Sequence, residues 1–281
     1  FFFKQKTAYE IYQCDWSSDV CSSDLDIEAV YINQDYTPFA KKREAIIEKI
    51  CKQNKINFFK FEDHMLTGVD SVKKLDGGLY SVFTPYYRAG MKLKKREPVK
   101  NHYKNYISKS FKIAGEYKKS IHDFYKPNNN ILVRGGRNNA LKILSKISDY
   151  KNYNKDREIP SIKGTTYLSA YMKFNVVSVR EVYSKLKEKL GPSNKLLTQM
   201  YWRDFYMQIM YHHNVIKHPF RTKYENMKWD NNPTYIKKWK EGNTGIPIID
   251  AAIAAFKLSQ SLDIGIDITL SHLSITSSEI P

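Results

Sequence analysis

Two short runs carry side chains whose types and spacing could do chemistry. The first is Gly164-Thr165-Thr166-Tyr167-Leu168-Ser169, three Ser/Thr hydroxyls placed after a glycine and before a helical pattern. Hydroxyls beside the free N–H groups of a helix N-terminus can donate to a phosphate. An ordinary Ser/Thr-capped helix start would use the same residues. The second run is Gln199-Met200-Tyr201-Trp202-Arg203-Asp204-Phe205-Tyr206. On a helix, Gln199, Trp202, Arg203 and Tyr206 fall at i, i+3, i+4 and i+7 and share one face. An amide, a large ring, a guanidinium fork and a phenol together suit a flat heterocycle next to phosphate. A core aromatic stripe with a snorkelling Arg203 is the alternative.

Other signals are weaker. Arg134-Gly135-Gly136-Arg137 has the form of an RGG element, but a single copy before a helical stretch reads as a turn and a helix start. His212, His213 and His218 invite a metal site, yet adjacent histidines on a helix point to different faces, so no metal is expected. The sequence has no Walker loop, GxSxG elbow, HExxH helix or CxxC pair, which removes the usual support for classical hydrolysis and zinc chemistry. Three cysteines, Cys14, Cys21 and Cys51, do not make a disulfide framework and fit a reducing compartment.

The elements that must position these runs come in two styles. Residues 28–62 read as a βαβ unit. A β-rich run covers 28–33, Thr37-Pro38 supplies an N-cap with proline at N1, and Ala45, Ile46 and Ile50 suggest the apolar face of a helix ending near residue 53. A second strand at Asn57–Phe61 would complete a parallel pair with a helix packed on it. From about residue 128 the pattern turns helical. Ser178 and Glu181 form a capping box before a stripe of Val182, Tyr183, Leu186 and Leu190, closed by Gly191-Pro192. Leu196–His213 reads as a further helix, and another begins at Pro247.

Composition bounds the rest. The 281 residues are 42% hydrophobic and 27% charged, which allows a packed core and excludes wholesale disorder. Lys and Arg number 46 against 29 acids, a net charge of +17 that suggests a polyanionic partner, nucleic acid ahead of a membrane surface. Lys far outnumbers Arg, however, and Lys, Asn, Ile and Tyr are all abundant, as codon bias in an AT-rich genome would produce. No apolar run approaches the roughly 20 residues needed to cross a bilayer. The expectation is a soluble intracellular monomer, in cytoplasm or nucleus. Residues 1–25 fit no secretory signal, and Asp19–Leu25 resembles an in-frame translation of a sequencing-library adapter, so they are read as foreign to the fold. Residues 256–281, poor in Lys and aromatics, read as a frameshifted or read-through tail, and 91–127 as a basic connector.

Six longer stretches carry a resemblance. VYINQDYTPFAKKRE (30–44), YSVFTPYYRAG (80–90), GGRNNALKIL (135–144), GTTYLSAYMKFNVVSVREVY (164–183), YWRDFYMQIMYHH (201–213) and WDNNPTYIKKWKEGNTGIPIIDAAI (229–253) resemble, in order, the photolyase/cryptochrome flavoproteins, and among them the DNA photolyases. The resemblance implies an α/β, Rossmann-like antenna domain over 26–90 and a mostly α-helical FAD-binding domain over 128–255, both incomplete. It implies FAD, with a second antenna chromophore of folate or deazaflavin type, and DNA containing pyrimidine dimers as partner.

By motif position, Tyr153, Thr165, Thr166 and Ser169 would embrace the flavin diphosphate, and Arg157 would contact DNA. Gln199, Trp202, Arg203 and Tyr206 would line the pocket for a flipped lesion, with Trp202 stacking on it, and Trp229 would be the surface end of an electron relay. The implied reaction is light-driven electron transfer that splits the dimer, with the cofactor performing the hard step. Gln199 stands where many cyclobutane-dimer enzymes have Glu and many (6-4) enzymes have Gln, which leaves the lesion type open. Ala170 replaces a frequent Pro, and Asn175 a frequent Gly. The family's segments beyond about residue 256 have no counterpart, so the chain as written is expected to bind FAD poorly and repair nothing. A cryptochrome-type photoreceptor with the same fold is the alternative. A basic nucleic-acid-binding module would explain the charge but not the ordered motifs.

Overall fold

The computed structural model describes residues 27–99, 102, 131, 133–159, 162–213, 215, 218–228 and 230–259. The expected foreign N-terminus, nearly all of the tail and most of the connector lie outside them, as does Trp229.

The βαβ reading is realised. Strand β1 (Ala29–Asn33) pairs in parallel with β2 (Asn57–Phe61), Ala29 opposite Asn57 and Asn33 opposite Phe61. Helix α1 (Pro38–Gln53) connects them, and the Thr37 hydroxyl caps it by accepting from Ala40 N–H at 3.2 Å. The buried face of α1 differs from the expected one. Ala40, Glu44 and Cys51 point inward, whereas Ala45 and Ile46 are exposed. The reason is polar: the Glu44 carboxylate accepts from Asp35 N–H at 2.9 Å, tying the helix to the end of β1.

Helix α2 (Phe83–Lys92) runs two residues into the expected connector. It is followed by α3 (Arg137–Ser145), α4 (Tyr153–Asp156), α5 (Leu168–Lys173), α6 (Val179–Leu190), α7 (Lys195–His212), α8 (Pro233–Glu241) and α9 (Pro247–Ser259). Gly136 precedes α3 at φ +106, so the RGGR run is a turn and helix start. Arg137 then donates to Val176 O at 3.2 Å and pairs with Glu181 at 2.9 Å. The capping box at α6 is therefore half formed. The Ser178 hydroxyl accepts from Arg180 N–H at 3.3 Å, while Glu181 is drawn to Arg137. Asn175, between α5 and α6, sits at φ +51, a conformation that suits Gly best and Asn better than most.

The main core joins α3, α5, α6 and α7 through Leu144, Leu168, Val179, Val182, Leu186, Leu197 and Met200, and Leu66 inserts from the loop after β2. Two satellites, Tyr36–Met65–Met207 and Val72–Tyr86–Phe205, fasten the βαβ unit and α2 to α7. Helix α7 is thus the post against which both halves pack. No helix among the described residues is long and apolar enough to cross a membrane.

Candidate functional site

Helix α7 starts at Asn194, whose side chain accepts from Leu196 N–H at 2.9 Å. Its inner face buries Leu196, Leu197, Met200, Tyr201, Asp204 and Phe205. The less buried side carries the four residues grouped by spacing: Gln199, Trp202 and Arg203 are half-buried and Tyr206 is 59% exposed. The Trp202 indole lies flat on Phe83 of α2, with ring centroids 3.6 Å apart and planes 8° apart. Tyr206 overlaps the indole at 5.5 Å and 22°.

Arg203 turns away from this aromatic group. One of its guanidinium nitrogens donates to His64 O at 2.5 Å, and the same nitrogen lies 3.8 Å from Asp204. A second guanidinium nitrogen, Nη2, is buried with no hydrogen-bond partner among the described residues. The cation therefore serves the seam between α7 and the loop after β2.

That seam is the largest feature with no signal in the sequence. Asp204 is fully buried and accepts from Leu66 N–H at 3.2 Å, Thr67 N–H at 2.8 Å and the Thr67 hydroxyl at 3.1 Å. Burial raises its pKa from 3.8 to about 6, against the pull of those donors and of Arg203. Arg180 pairs with Asp63 and donates to Glu62 O at 3.0 Å, and Arg96 donates to the same carbonyl. His64 lies with Nδ1 3.3 Å from Asn175 Oδ1, and burial with the nearby Arg203 charge lowers its pKa.

The hydroxyl run forms a second locus. A Cβ on Gly164 would stand 2.5 Å from the Asp156 carbonyl carbon and 2.7 Å from its oxygen, so two backbones cross here with no room for a side chain. The crossing sets Gly164, and with it the start of the hydroxyl run, against the C-terminal end of α4, whose first residue is Tyr153. Tyr167 adopts φ +52 immediately before α5. Thr166 is buried and accepts from Leu168 N–H at 3.4 Å, Thr165 is half-buried, and Ser169 is exposed. Arg157 donates to the Tyr153 phenol at 3.5 Å and pairs with Glu158 at 3.0 Å. Hydroxyls beside a backbone crossing, with a phenol on the adjoining helix, are donors of the kind a diphosphate takes.

Among the described residues, no cluster of three or more His, Cys, Asp or Glu is placed to hold a metal. His212 pairs with Asp70 at 2.9 Å and His218 with Glu225 at 3.3 Å. Sequence spacing did not point to Phe83, Asp204, His64 or the loop 62–67, because their contacts join residues more than a hundred positions apart.

Comparison with known proteins gives these loci a context. Residues 19–103 match the family model of DNA photolyase, and residues 196–260 match that of the FAD binding domain of DNA photolyase. A deoxyribodipyrimidine photo-lyase of Alkalihalophilus pseudofirmus is 31% identical over 248 residues, which cover 81% of this chain and 50% of that protein. One from Buchnera aphidicola is 29% identical, covering 82% and 51%. The chain thus spans about half the length of the curated relatives it matches. The crystal structure of an archaeal photolyase from Sulfolobus tokodaii with two FAD molecules superposes at a TM-score of 0.69 and 28% identity, over 93% of this chain and 56% of that one. A Synechocystis cryptochrome superposes at 0.69 over 85% and 53%, but at 18% identity it speaks to the fold alone. Two DNA photolyase models in series along one chain, with relatives and folds that agree, make this chain a member of the DNA photolyase family.

Proposed function

We propose that this chain belongs to a light-dependent DNA-repair enzyme acting on pyrimidine dimers, and that α7 supplies its lesion surface. The observation that carries the reading is the half-exposed aromatic face of Trp202 and Tyr206 with the Gln199 amide one turn away on the same helix. Nucleobases outside a duplex are held by such rings, each stacked base being worth about 1–3 kcal/mol. The amide offers both a donor and an acceptor to a base edge. Arg203 keeps a positive charge behind this face, and the net charge of +17 provides the nonspecific attraction to phosphates.

In this reading residues 26–90 belong to an α/β antenna domain, and residues 128–255 to a helical domain that holds FAD. Tyr153, Thr165, Thr166 and Ser169 would hold its diphosphate, beside the Gly164 crossing that leaves backbone in place of a side chain. Bound there, FAD supplies light-driven one-electron chemistry for opening the dimer. The chain's own residues orient the lesion, cover its flat face and exclude water. Arg157, next to Tyr153, would contact the DNA backbone, and Trp229 would relay electrons from the surface. The antenna domain would take a second chromophore of folate or deazaflavin type.

The test is binding of the purified chain, in the dark, to an oligonucleotide containing one cyclobutane dimer and to the same oligonucleotide undamaged. Preference for the dimer that falls in Trp202→Ala is expected. Equal affinity for both would sink the reading.

A further inference from the structure

We propose that Phe83, on a helix outside the flavin-binding half, is a positioning residue for the lesion surface, because its ring fixes the plane of Trp202. The inference rests on the reading of α7 given above. An indole has two faces, and Phe83 covers one of them at 3.6 Å with the planes only 8° apart. Tyr206 overlaps the indole as well, at 5.5 Å and 22°, so a base arriving from solution stacks on the part of the Trp202–Tyr206 surface that Phe83 leaves uncovered. Phe83 is itself backed by Tyr87, at 5.6 Å and 15°, which stands edge-on to Tyr201 of α7 at 5.1 Å. Tyr87 is half-buried and Tyr201 is buried, so the backing is anchored in the core.

The close approach of α2 to α7 is built into the sequence of both. Gly90 lets α2 come within 3.3 Å of the Tyr201 ring, measured from where a Cβ would stand. Tyr86, fully buried, packs on Phe205 at 5.2 Å and stands 3.5 Å from the Thr67 hydroxyl. These contacts set the height of Phe83 over Trp202. A surface indole without such a support samples several rotamers and must be ordered by the ligand, and ordering one such side chain weakens binding roughly three- to tenfold. The Phe83 ring meets that cost when the protein folds. It also makes the orientation of a lesion-contacting ring depend on a helix some 110 residues upstream.

The experiment compares the unmodified chain with Phe83→Leu, which keeps apolar bulk but removes the flat ring, and Phe83→Tyr, which keeps the ring. Two quantities are read. One is acrylamide quenching of Trp202 fluorescence, isolated by subtracting the matching Trp202→Phe protein. The other is the ratio of affinities for the dimer-containing and undamaged oligonucleotides. Phe83→Leu should raise the quenching and lower the ratio by about three- to tenfold, while Phe83→Tyr retains both values. Unchanged quenching in Phe83→Leu overturns the proposal, and so does raised quenching with an unchanged ratio, which would make Phe83 merely structural. If Phe83→Leu loses its helical circular dichroism, Phe83→Tyr decides, since loss of the ratio in that folded variant is also contrary. Failure of the lesion reading itself is distinguishable, because it appears as no preference in the unmodified chain.

Discussion

Replacing Asp204 tests the seam between α7 and the loop after β2. In Asp204→Ala, Leu66 N–H, Thr67 N–H and the Thr67 hydroxyl lose their shared acceptor in a fully buried site. Each orphaned donor costs about 1–3 kcal/mol, or about 6 kcal/mol for the three. Against this stands the penalty of ionising the acid in place, already net of those donors and of Arg203, which the rise from 3.8 to about 6 converts to about 3 kcal/mol at neutral pH. The net loss at pH 7 is then about 3 kcal/mol, a large share of the 5–15 kcal/mol that holds a typical domain together.

The same figures fix the pH dependence. The native state holds its proton to higher pH than the unfolded chain, so this group's contribution is fully present below 3.8 and is lost as pH rises through about 6. Asp204→Asn does not titrate. Urea midpoints for the unmodified chain and Asp204→Asn, measured at pH 4.5 and 7.5, cancel the other ionisable groups, His64 among them. The advantage of the aspartate over asparagine should be larger at pH 4.5. An advantage that is constant with pH, or greater at pH 7.5, would refute the argument.

Two further substitutions test the local geometry. Gly164→Ala forces a Cβ to within 2.5 Å of the Asp156 backbone, which cannot move aside like a flexible side chain. It should destabilise the chain by about 2 kcal/mol or more and abolish any flavin-diphosphate affinity, read by thermal melting and by FAD fluorescence titration; an unchanged melt would show that the crossing tolerates a side chain. At Asn175, φ +51 favours Gly over Ala, so Asn175→Ala should lose about 1 kcal/mol more than Asn175→Gly by urea denaturation. Equal midpoints for the two variants would remove the backbone argument and leave only the shared loss of the His64 contact.

What could be read from the sequence was local. Thr37-Pro38 announced α1, and Ser178 with Gly191 bounded α6, because caps and terminators act within a few residues. The one-face grouping on α7 followed from helical period. Helix α2 contains Pro85 and Gly90, two residue types that interrupt most helices. Pro85 lies in the first turn, where no N–H is needed, and Gly90 is a contact surface for Tyr201. Arg203 belongs by period to the aromatic face, yet its long side chain reaches a carbonyl 139 residues away. The inward turn of Glu44 was likewise hidden, since periodicity assigns a glutamate to solvent.

The Asp204 seam also bears on the order in which the chain folds. Its bonds join residues 137 and 138 positions apart, so an extensive stretch of chain must be brought together before any of them forms. The helical turns of α6 and α7 and the βαβ pair need no such closure. Docking of residues 62–67 onto α7, by contrast, becomes available only after the ribosome has released α7.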